Sequence, residues 1–366
     1  WKSGYEWAQH VRIGKECGLT DTEIHHIKDG PLAPSWSALE SAMIRAVDEL
    51  TSDAFISDQT WEELAGLTEK QRMDLVMTVG QYTQVSMMLN SFSGSVLDDS
   101  GPGAGPGPEG MSLGDVAGRL TDKVAIVTGA GQTPGETIGN GKAMALLFAR
   151  AGARVLCVDR DAARAADTVS EIESEGGIAG ICAADVTKAD DAARIAAECV
   201  SAFGRVDILV NNVGIGGHGD GPAHKLSEEA FDRIMRVNLK GAWLVTQAVL
   251  PGMLEQRSGA IVNISSLAAI AGGFQAAYEM SKAGMNRMTC SVAMSGASRG
   301  VRCNAIMPGL MDTPMAIGGI ASARGISEED LRAERLKNVP MKFMGTGWDT
   351  AHAALFLASD EARFIT

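Results

Sequence analysis

Residues 124–151 read VAIVTGAGQTPGETIGNGKAMALLFARA. Val124–Thr128 is a short apolar run of the kind buried on both faces of a sheet. Lys142–Ala151 follows with helical spacing of its apolar residues. Between the two, Thr128 leads into a turn punctuated by Gly129, Gly131, Gly135, Gly139 and Gly141. Glycines at a strand-to-helix turn let backbone come close to a ligand. The helix that follows offers unpaired N–H groups and the positive end of its dipole to an anion such as a pyrophosphate.

Working outward, the same alternation continues to the end of the chain. Val124–Thr128, Arg154–Asp159, Ile178–Ala183, Asp207–Asn211, Ala260–Ser265 and Val301–Ile306 read as short buried strands separated by helical patterns. This predicts an α/β fold: a doubly wound parallel sheet with right-handed crossovers, binding ligands beyond the strand C-termini near the switch point. The second strand ends in Asp159, 18 residues after Gly141. A carboxylate there accepts from both hydroxyls of an adenosine ribose and repels a 2′-phosphate, which favours NAD(H). Arg160 follows directly and can pair with a phosphate, so NADP(H) stays possible.

Composition narrows the function classes. Of 366 residues, 45% are hydrophobic and 21% charged, as expected of a packed core. A formal net charge of −13 argues against nucleic-acid binding through a general basic surface. No apolar run is long enough to cross a membrane. The six cysteines form no C-x-x-C, which argues against a thiol-redox pair, a zinc knuckle or a disulfide framework and fits a reducing cytoplasm. No His/Asp/Glu cluster demands a metal.

Tyr278-Glu279-Met280-Ser281-Lys282 sets a phenol and an ammonium at i and i+4, on one helix face. A nearby ammonium stabilises phenolate and lowers the Tyr pKa, making Tyr278 a candidate general acid/base. Asn263-Ile264-Ser265-Ser266 closes a strand upstream, and Asn238 lies in Val237-Asn238-Leu239-Lys240-Gly241. Together with the glycine turn, Asp185-Val186, Asn211-Asn212-Val213-Gly214 and Pro308-Gly309…Thr313, these residues resemble the short-chain dehydrogenase/reductase family, in family order over residues 119–366.

The resemblance implies a Rossmann sheet and a set of roles. Tyr278 would exchange a proton with the oxygen of an alcohol or ketone. Lys282 would hold the nicotinamide ribose and lower the Tyr pKa. Ser266 would polarise the carbonyl, and Asn238 would fix a water in a proton relay. Thr128, Gly129, Gly131, Gly139 and Gly141 would form the pyrophosphate turn. Asp185 and Val186 would face the adenine, Asn211, Val213 and Gly214 the adenosine side, and Pro308, Gly309 and Thr313 the carboxamide side. The partners implied are a small-molecule alcohol or ketone and a second copy of the chain, as a homo-oligomer (dimer or tetramer).

Three departures from the family pattern stand out. Gly129 to Gly139 carries six extra residues relative to T-G-x-x-x-G-x-G, which leaves Gly135 a rival for the pyrophosphate contact. Ser265 matches the family's usual spacing to Tyr278 whereas Ser266 is one position nearer; we take Ser266, the second of the pair. The family's last strand is not found before Thr366, which leaves a sheet edge unpartnered. Met311–Met341 would form a lid carrying Met311, Met315, Ile317 and Ile320, suited to an apolar pocket. His218 and His224 lie in the loop after Asn211 and read as solvated.

The first 97 residues differ in character. Residues 98–110, DDSGPGAGPGPEG, cannot hold a helix or central strand, and we read 98–118 as a linker. The first 100 residues hold 7 basic against 16 acidic side chains and four of the six tryptophans. Segments 4–17, 20–29, 36–50, 57–66 and 68–92 have helical spacing, with capping boxes at Thr20/Glu23 and Thr68/Gln71, so a smaller all-α domain is expected. Gly4–Gly14 and Val79–Phe92 look like the carboxymuconolactone decarboxylase family, which includes alkylhydroperoxidase-like proteins. Cys17 is the single cysteine of this half, so dithiol chemistry lacks its partner. Glu6 and His10, at i and i+4, are its candidate acid and base. The chain reads as a piece truncated at both ends.

Overall fold

The computed structural model describes residues 11, 15, 18–34, 36–52, 56–72, 75–76, 116–217 and 219–366. The chain divides into two units, Trp1–Gly103 and Ala104–Thr366.

In the first unit the described residues include the α-helices α1 (Asp21–Asp29), α2 (Ala38–Ser52) and α3 (Asp58–Glu63), a 3-10 turn at Leu64–Gly66, and further helical residues at 69–72 and 75–76. The capping box expected at Thr20 is formed, with Glu23 reaching back to the Thr20 N–H at 2.7 Å. Thr68 and Gln71 make the same reciprocal pair. Ser57 caps α3. Ala42, Ala46 and Leu64 form a small buried cluster. Glu6, His10 and Cys17, and nearly all of segments 4–17 and 77–97, lie outside the described residues.

The second unit is built on a six-stranded parallel sheet of β1 (Val124–Thr128), β2 (Arg154–Asp159), β3 (Ile178–Ala183), β4 (Ile208–Asn211), β5 (Gly259–Ile264) and β6 (Val301–Ile306). Their spatial order is β3-β2-β1-β4-β5-β6. The helices between them are α4 (Asn140–Arg150), α5 (Ala162–Ser174), α6 (Ala189–Phe203), α7 (Glu228–Met235), α8 (Gly241–Gln256) and α9 (Ala276–Gly296). After β6 come β7 (Met311–Asp312), α10 (Gly318–Arg324), α11 (Glu328–Leu336), β8 (Gly345–Thr346) and α12 (Gly347–Ala358).

Side-chain alternation along the strands creates two cores. Ala125, Val127, Val155, Cys157, Ile208 and Val210 face one core with α4, α5 and α12, whereas Val124, Ile126, Leu156, Val158 and Leu209 face the other with α6, α8 and α9. The central strands β1 and β4 are buried on both faces and read as near-unbroken apolar runs, whereas the edge strand β3 is largely exposed. Val116, assigned to the linker by sequence, is buried in the first core.

Two strand boundaries differ from expectation. Asp207 precedes β4: its buried carboxylate accepts the Val124 N–H at 3.0 Å and pairs with Arg205, a capping role outside the strand. Ser265 follows β5, its N–H donating to the Ile306 carbonyl. β6 is the last strand of the sheet among the described residues. Ile365 and Thr366 begin to cover its edge, with Thr366 Oγ1 accepting the Cys303 N–H at 3.0 Å and the Ile365 carbonyl accepting from Asn304 at 2.8 Å. The chain passes from β1 outward to β3 and returns to β4 on the other side of β1. The switch point is therefore between the C-terminal ends of β1 and β4.

Candidate active site

The glycine turn sits at that switch point. Gly129 has φ +67°, a left-handed conformation that glycine adopts without steric cost. A Cβ on Gly141 would lie 1.8 Å from the Gly129 carbonyl oxygen, so the start of α4 presses against the turn. Gly139 is the α4 N-cap and supplies no side-chain cap, leaving the helix start able to receive an anion. The extra residues fold back on themselves: Gln132 accepts the Gly139 N–H at 3.1 Å and donates to the carbonyls of Thr133 and Thr137. Gly135 packs against the segment after β7, where a Cβ on it would lie 2.9 Å from Pro314.

The ends of β2, β3 and β4 lie beyond the turn. Asp159 accepts the Gly131 N–H at 3.1 Å and the Asp161 N–H at 3.0 Å, and Gly131 has no room for a Cβ between Asp159 and Arg164. Arg160 is exposed. Asp185 accepts from the Thr187 N–H and hydroxyl, and Val186 is buried against Gly241. Asn211 is turned into the sheet: its amide donates to Thr246 at 2.9 Å and Asn263 at 2.8 Å. It braces β4 rather than presenting its side chain to the cleft. The neighbouring Asn212, from the same Asn211–Gly214 stretch, donates to the carbonyls of Thr128 and Gly129, both at 3.1 Å, and clamps the turn. Thr128 in turn donates to the Val210 carbonyl and accepts the Asn212 N–H. The uncapped helix start, the cradle that a Cβ would fill and the acidic strand end together fit a dinucleotide.

The second cluster stands on α9 and the ends of β4 and β5. Ser266, at the end of β5, stands close enough to Tyr278 to draw its phenol down. Ser265 is buried and donates to the Lys282 carbonyl at 3.1 Å, so of the two serines it is Ser266 that faces the phenol. Lys282 is buried, its Nζ donating to the Ile264 carbonyl at 2.7 Å and lying 5.7 Å from the Tyr278 ring centroid. A Cβ on Gly214 would touch Lys282 Nζ at 3.2 Å, which puts the Val213–Gly214 backbone against the lysine. Burial brings the Lys282 ammonium down to about 8. Burial likewise pushes the Tyr278 phenol above its ordinary value, opposed by the nearby Ser266. The expected lowering by Lys282 is therefore not what this protein alone does. Desolvation of the phenolate outweighs an ammonium that is itself desolvated and bonded elsewhere.

Asn238 lies fully buried in a π turn, Arg236–Lys240, between α7 and α8. Its Oδ1 accepts the Ile215 N–H at 2.8 Å, and its amide donates to the Ile215 carbonyl at 2.8 Å and Ser281 Oγ at 3.0 Å. With both amide protons committed, the side chain splints the post-β4 loop to α9 instead of donating to a water. Pro308 accepts the Leu267 N–H at 3.0 Å, Gly309 borders open space, and Thr313 is buried at the start of the lid. In the lid, Ile317, Ala321 and Leu331 form their own cluster, so Ile317 is core, while Met315 is 52% exposed. His224 is exposed and His218 lies outside the described residues. Among the described residues no helix is long and apolar enough to cross a membrane.

The comparisons with known proteins bear on the second unit. The family model described as enoyl-(acyl carrier protein) reductase matches residues 136–366. A 3-oxoacyl-[acyl-carrier-protein] reductase of Thermotoga maritima is 38% identical over 249 residues, covering 68% of this chain and 95% of that protein. A 2-(R)-hydroxypropyl-CoM dehydrogenase of Xanthobacter autotrophicus is 37% identical over 246 residues, 66% of this chain and 94% of that protein. Among solved structures, a Burkholderia xenovorans protein described as a short-chain dehydrogenase/reductase matches with TM-score 0.62 and 44% identity, over 68% of this chain and 94% of its own. Levodione reductase matches with TM-score 0.62 and 30% identity, over 68% and 94%. Through its second unit the chain belongs to the short-chain dehydrogenase/reductase family, NAD(P)-using oxidoreductases that act on CH–OH donors.

Proposed function

We propose that this chain interconverts a secondary alcohol and a ketone with NAD(H), and that Tyr278 exchanges the proton. The observation that carries the reading is the placement of Tyr278 on α9 beside the buried Lys282, whose Nζ lies 5.7 Å from the Tyr278 ring centroid. A nicotinamide, when bound, supplies the hydride acceptor for an alcohol or the hydride donor for a ketone. Tyr278 Oη takes the hydroxyl proton in oxidation and returns it to the carbonyl oxygen in reduction. Ser266 Oγ orients that oxygen against the phenol. Lys282 holds the nicotinamide ribose, and its charge favours phenolate once the site is closed from water. The Thr128–Gly141 turn holds the pyrophosphate and Asp159 the adenosine ribose, with Thr313 toward the carboxamide. Asp159, already fixed by two backbone N–H groups, supports NAD(H) over NADP(H).

Tyr278→Phe tests the reading. With NAD and the best of 2-butanol, cyclohexanol and 1-phenylethanol, kcat is expected to fall at least about 100-fold, the usual share of general acid–base catalysis. Full turnover in that variant would sink it. A second reading, an NADPH-dependent carbonyl or 3-oxoacyl reductase, is favoured by exposed Arg160 and by Arg164 beside Gly131. Separate titrations with NADH and NADPH decide between the two.

A further inference from the structure

We infer that Asp220, in the loop after β4, is a positioning residue for Tyr278; this rests on the reading of Tyr278 above. The first turn of a helix leaves N–H groups without intrahelical partners. On α9, Gln275 at the N-cap position provides no side-chain bond. The partners come instead from a loop nearly sixty residues earlier. The Ala276 N–H donates to the Gly221 carbonyl at 2.9 Å. The Ala277 N–H donates to Asp220 Oδ1 at 3.0 Å and the Tyr278 N–H to Asp220 Oδ2 at 3.1 Å. One carboxylate thus takes both of its oxygens to consecutive amides, one of them the amide of the proton-exchanging residue.

The loop carrying Asp220 is itself held. Asp220 Oδ1 also accepts the Gly221 N–H at 2.9 Å, and the Asp220 N–H donates to the Gly217 carbonyl at 2.9 Å. Further up the same loop, Ile215 is splinted by Asn238. The negative charge also suits the positive end of the α9 dipole. From the other side, Glu279 Oε1 accepts the N–H groups of Gly273, Phe274 and Gln275 at 2.7, 3.0 and 3.1 Å, tying down the segment that enters α9. The phenol must meet Ser266, which stands on the separate β5–α9 loop. The distance between those two hydroxyls therefore depends on where the start of α9 is held, and that place is set by Asp220. Because a misplacement of ~1 Å can cost about 100-fold in rate, this hold acts on kcat.

The test uses the full chain carrying meta-fluorotyrosine, with the Tyr278 signal assigned by its loss in Tyr278→Phe. Asp220→Ala and Asp220→Asn are expected to shift or broaden that fluorine resonance. They lower kcat about 10- to 100-fold with the alcohol chosen above, while NADH dissociation stays within about twofold of wild type. Asp220→Glu, which keeps the charge and both oxygens, is expected to restore part of kcat. If Asp220→Ala fails to fold, Asp220→Asn carries the test. An unmoved Tyr278 resonance with wild-type kcat overturns the inference. A moved resonance alongside full turnover in Tyr278→Phe would instead overturn the role given to Tyr278 and leave the hold by Asp220 standing.

Discussion

Replacing Gly141 with alanine tests the cofactor turn. The new Cβ would sit 1.8 Å from the Gly129 carbonyl oxygen and 2.6 Å from Asn212 Nδ2. Ordinary contact begins at 3.4 Å, so α4 and the turn must separate by about 1.6 Å. The helix cannot swing freely. Residues 143–148 are buried and pack with Ala351, Ala354 and Leu355 of α12 in one core, and a Cβ on Gly347 would meet the Ile138 carbonyl at 2.8 Å. Overpacking of this kind costs about 3 kcal/mol at the upper end of its range. Alanine recovers about 1 kcal/mol of helix propensity over glycine. The net loss of about 2 kcal/mol lowers the melting temperature of this unit by roughly 4–8 °C. Moving the helix start off the turn also sacrifices at least one charge-assisted hydrogen bond to a pyrophosphate, about 1.5–3 kcal/mol. That is a loss of roughly 10- to 100-fold in NADH affinity. Thermal unfolding followed by circular dichroism and titration of NADH by nicotinamide fluorescence read the two effects separately. A Gly141→Ala protein that melts with wild type and binds NADH within twofold would refute the placement of the pyrophosphate at this turn.

Two further outcomes follow from the same geometry. Asp159→Ala removes the acceptor for the Gly131 and Asp161 N–H groups; NADH affinity is expected to drop about tenfold and the NADPH-to-NADH preference to rise, read by paired fluorescence titrations. An unchanged preference would dissociate Asp159 from cofactor choice. Burial holds the Lys282 ammonium at about 8 in the folded chain, below its ordinary value of 10.5. Below about 8 both states carry the proton and the full cost of burying it is present; between about 8 and 10.5 the unfolded chain binds more protons, so stability rises with pH. Relative to Lys282→Met, wild type is expected to gain up to about 3 kcal/mol across that window in urea unfolding. Parallel pH curves for the two proteins would argue against a charged, buried Lys282.

Local pattern carried the sheet. β1, β2, β3 and β6 begin and end where the sequence places them; β1 is buried along its whole length, whereas β3 and β6, at the two edges of the sheet, keep their apolar side chains only in part buried. The glycine turn, Asp159 at the end of β2 and the Tyr278/Lys282 pairing are also local: each depends on residues a few positions apart on one element or at one strand end. In α1, the Thr20/Glu23 box is likewise complete within four residues.

What sequence reading missed depends on which elements the fold brings together. Sequence reading takes Ser266, although the spacing alone favours Ser265; in space the path of the chain after β5 sets Ser266 near Tyr278 and turns Ser265 to the Lys282 carbonyl. Asn211 and Asn212 are neighbours of one type, yet one braces β4 and β5 from inside and the other clamps the glycine turn, because successive side chains on a strand point to opposite sides. The upward shift of Tyr278 is a consequence of burial, and burial exists only once α9 lies against the sheet. Asp220 reaches Ala277 and Tyr278 across 57 and 58 residues, a separation that no window of sequence periodicity spans. The sequence alone thus determined the elements, their parallel order and the chemical types gathered at the strand ends. The packing of α9, the post-β4 loop and the glycine turn decided which atoms meet, since hydrogen-bond geometry is set by distance in space and not along the chain.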